Sequence, residues 1–129
     1  MTRYLLDAFA WIEYLEGTAL GGQVRALLED EENEVLTSAY TVAEVASKSA
    51  RRGKDGRDAA SRIEASSTIV PLEFTVATSS GLVHAERRKK VKDFPLGDAT
   101  VIAAAKALHA TIVTGDPHFK DEPNLLYLK

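Results

Sequence analysis

Short runs of apolar residues constrain this chain more than anything else in it. Tyr4-Leu5-Leu6, Val35-Leu36-Thr37, Thr68-Ile69-Val70 and Thr111-Ile112-Val113 are continuous rather than alternating. A strand with one wet face alternates apolar and polar residues, whereas a strand covered on both faces does not. Between these runs the apolar residues recur at helical spacing. Strands alternating with helices, with no wet face on the strands, require a parallel sheet sandwiched between helical layers, an α/β three-layer domain.

The spacing gives the following order. Residues 3–6 form the first strand. Residues 8–16 form a helix on Phe9, Ile12 and Leu15, stopped by Gly17. Leu20, Val24, Leu27 and Leu28 mark a second helix. Residues 34–38 form the second strand. A third helix starts between Ser38 and Thr41 and runs to about Arg52, with Val42, Val45 and Ala46 inward. Residues 54–58 read as a polar loop and 59–66 as a helix. Residues 68–70 form a strand that Pro71 stops. Residues 75–92 read as one helix or two, broken or bent near Ser79-Ser80-Gly81. Pro95 and Gly97 interrupt the chain, and residues 98–109 form an alanine-rich helix. Residues 111–113 form the fourth strand. The last runs from Asn124 or Leu125 to Leu128, after the turn residues Asp116-Pro117 and Glu122-Pro123.

A chain of 129 residues, 45% hydrophobic and 27% charged, can bury one core without staples, so one domain over residues 1–129 is expected. With no cysteine there is no disulfide framework, no thiolate zinc site and no thiol nucleophile. No apolar run resembles a signal peptide or a membrane span, so the expected address is the cytoplasm. The net charge of -3 is not that of a protein that coats nucleic acid. Bases nevertheless cluster at Arg51-Arg52-Gly53-Lys54 and Arg87-Arg88-Lys89-Lys90, and such patches can hold a polyanion locally. Taken singly, each base is a solvated helix end.

Four acids stand at element junctions. Asp7 ends the first strand and is an N-cap by default. Thr41-Val42-Ala43-Glu44 matches a capping box, but a helix starting nearer Ser38 would carry Glu44 a turn further in, where it needs a partner. Asp98 is again an N-cap by default. Asp116, before Pro117, fits an Asx-type turn. Taken together the four read differently. Ligands of doubly wound sheets sit beyond the carboxyl ends of the strands. Asp7 and Asp116 stand at such ends, and Glu44 and Asp98 lie in the early turns of helices from the same edge. Converging carboxylates repel unless neutralised, and Mg²⁺ or Mn²⁺ is the hard cation that oxygen ligands select. His84, His109 and His118 read as lone surface or packing histidines, with His118 given only a small chance of touching the site.

With these residues in view, the chain resembles the PIN-domain ribonucleases, and among them the VapC-type toxins of prokaryotic toxin–antitoxin pairs. The resemblance covers nearly the whole chain. It rests on Leu6-Asp7, Ala43-Glu44-Val45, Leu96-Gly97-Asp98-Ala99 with Ile102-Ala103-Ala104-Ala105, and Ile112-Val113-Thr114-Gly115-Asp116-Pro117-His118-Phe119. It implies a Rossmann-like sheet of order 3-2-1-4-5, and Mg²⁺ or Mn²⁺ held by catalytic Asp7, Glu44, Asp98 and Asp116. Thr114 would orient a water or a carboxylate. It further implies homodimers and a small antitoxin whose tail enters the groove. Ala8 departs from the pattern, since the family often has a hydroxyl residue after the first acid.

The chemistry expected is metal-dependent hydrolysis of RNA to a 5′-phosphate and a 3′-hydroxyl, with the backbone gripped by Arg51, Arg52, Arg87 and Arg88, and Lys89 and Lys90 beside them. Two rivals differ in class. A catalytically silent PIN-like binding module would have no need of metal. A receiver-type phosphoacceptor domain would want adjacent acids after the first strand, where Ala8 follows Asp7. A phosphatase with acids two apart is disfavoured by Phe9.

Overall fold

The computed structural model describes residues 1–129. It forms β1 (Thr2–Leu6), α1 (Ala8–Glu16), α2 (Ala19–Glu29), β2 (Asn33–Ser38), α3 (Ala39–Arg51) and α4 (Gly56–Ser66). The chain continues with β3 (Thr68–Val70), α5 (Phe74–Arg88), α6 (Leu96–Leu108), β4 (Thr111–Thr114), a 3₁₀ turn Pro117–Phe119 and β5 (Leu125–Tyr127). All strand pairs are parallel, in the order β3-β2-β1-β4-β5. The flavodoxin-like order 2-1-3-4-5 of receiver domains is a different one, which removes that rival.

Successive strand residues point to opposite faces, so each apolar run feeds two cores. Leu5, Leu36 and Ile112 pack with α6, and Val76 and Val83 of α5 lie against that cluster. Leu6, Val35 and Val113 pack on the other face with residues of α1 to α4, among them Trp11, Val24, Val45 and Ile63. The continuous apolar reading of the strands is therefore correct. The small side chains Ala99 and Ala103–Ala105 of α6 are buried and let it lie close to the sheet.

Several expected boundaries move. Asp55 caps α4 by accepting from the amides of Arg57 and Asp58, so α4 begins inside the stretch read as a loop. Helix α5 is unbroken through Ser79-Ser80-Gly81, and the Ser80 hydroxyl donates back to the Val76 carbonyl. Helix α6 begins at Leu96, two residues before Asp98, with Pro95 as its N-cap. Asp98 is thus a first-turn residue and not the cap. No helix is long and apolar enough to cross a membrane.

Candidate metal centre and groove

β1 and β4 are neighbours, and each ends at the same edge of the sheet with a polar residue on its exit. Asp7 follows β1 and is 4% exposed. It does cap α1, because its Oδ1 accepts from the Ala10 amide at 2.9 Å. Its Oδ2 takes a 2.5 Å hydrogen bond from the Thr114 hydroxyl at the end of β4. The same hydroxyl accepts from the Asp116 amide at 2.9 Å. Thr114, fully buried, therefore ties the first acid to the backbone of the last.

Glu44 is settled by the start of α3. Ser38 is the N-cap and accepts from the Tyr40 amide, so the capping box at Thr41 does not form. Glu44 lies in the second turn, half-buried, facing the first turn of α6. Gly97 makes that approach possible, since a Cβ there would fall on the Glu44 carboxylate. At the other end of the motif, a Cβ on Gly115 would fall on the Phe9 ring.

Asp98 is brought to the site by the first turn of α6, where an acid also suits the helix dipole. Asp116 forms the expected turn and accepts from the His118 amide at 2.9 Å. One residue read as peripheral belongs here. His118 Nδ1 lies 2.9 Å from Asp98 Oδ2 and 3.3 Å from Asp116 Oδ1. Sequence reasoning missed it because a lone histidine carries no spacing signal; its place two residues beyond Asp116, in the tight turn that Asp116 caps, was the available clue.

All four acids line one open groove of about 660 Å³. Burial pushes the Asp7 carboxyl up to about 7, and the nearby Asp98 and Asp116 charges add to this against the bonds from Thr114 and Ala10. Burial likewise pushes Glu44 up to about 7, with Asp98 adding repulsion and Lys48 opposing it. Asp98 is raised by burial, and its bond to His118 works the other way. His118 is raised chiefly by that same bond. No lysine or arginine makes an ion pair with any of the four acids. An acid-rich, under-neutralised set of hard oxygens is what a divalent cation fits. Asp98, Asp116 and His118 each offer a ligand atom, and these atoms lie within 4.8 Å of one another.

The basic residues divide. Arg51 lines the groove, joined on the same stripe of α3 by Tyr40, Ser47 and Lys48, which the residue clusters did not bring forward. Arg52 pairs with Glu16 at 2.9 Å instead, and Arg87 pairs with Glu122 at 2.6 Å. Arg88 is exposed at the end of α5 and does not line the groove. Residues three and four apart share a helical face, whereas neighbours in sequence do not, so Arg51 and Arg52 point apart.

The family model described as PIN domain matches residues 4–123. No curated protein sequence matches significantly. Among solved structures the chain is similar to VapBC2 from Rickettsia felis bound to a DNA fragment from its promoter, with TM-score 0.76 and 18% identity over 99% of this chain and 100% of that one. It is also similar to VapC20 from Mycobacterium tuberculosis, a sarcin–ricin loop cleaving toxin, with TM-score 0.73 and 17% identity over 98% and 99%. VapBC-1 from nontypeable Haemophilus influenzae gives TM-score 0.68 and 18% identity over 99% and 98%.

Proposed function

The chain belongs to the PIN-domain family, and on that premise we propose that it is a metal-dependent endoribonuclease, the toxin of a VapBC-type toxin–antitoxin pair. The observation that carries this reading is the convergence of Asp7, Glu44, Asp98 and Asp116 on one groove at the carboxyl edge of the sheet. A silent binding module has no physical reason to hold four acids together at the expense of two carboxyl groups pushed to about 7.

In this reading the four acids hold Mg²⁺ or Mn²⁺. When bound, the cation supplies an acidified water and compensates charge on the scissile phosphate. Thr114 keeps the Asp7 carboxylate turned to the groove, and Gly97 leaves room for Glu44. Lys48 and Arg51 lie along α3 beside the acids, where they can hold the flanking phosphates. The water oxygen bonds to phosphorus as the P–O3′ bond breaks, and a proton passes to the departing O3′. The products are a 5′-phosphate and a 3′-hydroxyl. No buried nucleophilic side chain is required.

The partners in this reading are RNA, an antitoxin and a second copy of the chain. Phe74 and Leu82 of α5 are left 86% and 68% exposed, apolar surface of the kind a homodimer would cover. The test is RNA cleavage by Asp98→Asn in Mn²⁺. Loss of 100-fold or more is expected, together with loss of wild-type activity in chelator. Cleavage at the wild-type rate by the purified variant would sink the proposal.

A further inference from the structure

His118 brings one ring nitrogen to the carboxylates of two members of the acid set, with a hydrogen bond to Asp98 and a charge contact to Asp116. Its Nδ1 lies 2.9 Å from Asp98 Oδ2 and 3.3 Å from Asp116 Oδ1. Asp98 comes from α6 and Asp116 from the exit of β4, so one ring joins two separate elements. A carboxylate only accepts, and Nδ1 therefore carries the hydrogen.

The ring is itself held. Phe94, 2% exposed, lies against it with centroids 5.5 Å apart and planes inclined at 49°. The Arg87 guanidinium stands 5.7 Å from the Phe94 centroid and is fixed by its pair with Glu122. From below, the 3₁₀ turn is anchored by fully buried Phe119 and by the His118 amide bond to Asp116. A solvated surface histidine has neither the aromatic backing nor two carboxylates within 3.3 Å of one ring nitrogen. Two bare carboxylates from different elements would part by repulsion, and a shared donor draws them together.

We propose that His118 is a positioning residue of the metal centre, its Nδ1–H bonding Asp98 and attracting Asp116 so that the two carboxylates converge where they would help hold a hard divalent cation. The inference rests on the nuclease reading of the same site. It differs from direct ligation in a checkable way. An imidazole ligand suits Mn²⁺ better than Mg²⁺, whereas a donor that orients carboxylates serves both ions.

Calorimetric titration of the full chain with Mn²⁺ and with Mg²⁺ tests it, using wild type, His118→Ala and His118→Asn. Outer-shell partners of metal ligands are worth roughly 10–100-fold in affinity. His118→Ala should weaken both ions by about tenfold or more. His118→Asn, which keeps an N–H near the place of Nδ1, should recover most of the loss. The thermal midpoint in chelator should fall by no more than a few degrees in either variant, since the side chain is one-third exposed. Wild-type affinities in His118→Ala would overturn the inference while leaving the nuclease reading intact. So would a loss confined to Mn²⁺ without rescue by asparagine, which would mark the ring as a ligand. If wild type binds neither ion, the nuclease reading fails and this inference fails with it.

Discussion

The Thr114 hydroxyl donates a 2.5 Å hydrogen bond to Oδ2 of Asp7, across 107 residues of sequence. Both groups are buried at the exits of adjacent parallel strands. Removing the donor leaves a buried carboxylate short of a partner, which costs about 1–3 kcal/mol. Thr114→Val should lower stability by that amount at neutral pH and push the Asp7 carboxyl up further, because the bond holds it down. Thr114→Ser should behave nearly as wild type. Chemical denaturation at pH 7.5 in chelator checks both, and a valine variant as stable as wild type would contradict the role given to this bond.

The acids make the metal-free protein sensitive to pH in a definite direction. Asp7 moves from an ordinary 3.8 up to about 7 on folding. A carboxyl raised on folding contributes stability that is fully present below its unfolded pKa and is lost as pH rises through the folded one. In chelator, the thermal midpoint should therefore be higher at pH 5.5 than at pH 8. Asp7→Asn should flatten that profile. Added Mn²⁺ should stabilise more at pH 8 than at pH 5.5, because ligands bind as carboxylates. A metal-free midpoint that climbs from pH 5.5 to 8 would contradict the assignment.

Gly97 separates stability from function. Its helical backbone accepts alanine, which favours a helix by up to about 1 kcal/mol. The added Cβ, however, falls on the Glu44 carboxylate. Gly97→Ala should melt within a few degrees of wild type yet lose RNA cleavage by at least tenfold. Parallel melting curves and cleavage assays decide this; full activity would mean Glu44 is free to move without consequence.

The arginines adjacent in sequence should behave unlike each other. Arg51 lines the groove with Lys48, whereas Arg52 is paired to Glu16 on another face. Lys48→Ala with Arg51→Ala should raise KM for RNA about tenfold and flatten its dependence on salt, as expected when phosphate contacts are removed. Arg52→Ala should change KM less than twofold. Equal effects from both would show that the groove does not track the RNA backbone.

The sequence by itself determined the architecture and brought the four acids forward as candidates. Apolar runs such as Leu5-Leu6 and Ile112-Val113 can exist only where both faces of a strand are buried, and that demand alone yields a parallel sheet between helices. Asp7 at a strand exit and Asp98 at a helix start were legible because chain punctuation is local. Where neighbours in space are distant in sequence, the reading ran out. Whether Glu44 caps α3 or enters the site was decided by Ser38, which took the cap, and by Gly97, which gave the carboxylate room. His118 looked solitary until α6 brought Asp98 within 2.9 Å of its ring. Arg51 and Arg52 were indistinguishable as neighbours in a string, and only the 100° step of the helix sent one to the groove and the other to Glu16. Local sequence sets which groups stand at the ends of elements. The packing of β1 against β4 and of α6 against the sheet decides which of those groups share one space, because that depends on contacts no local pattern encodes.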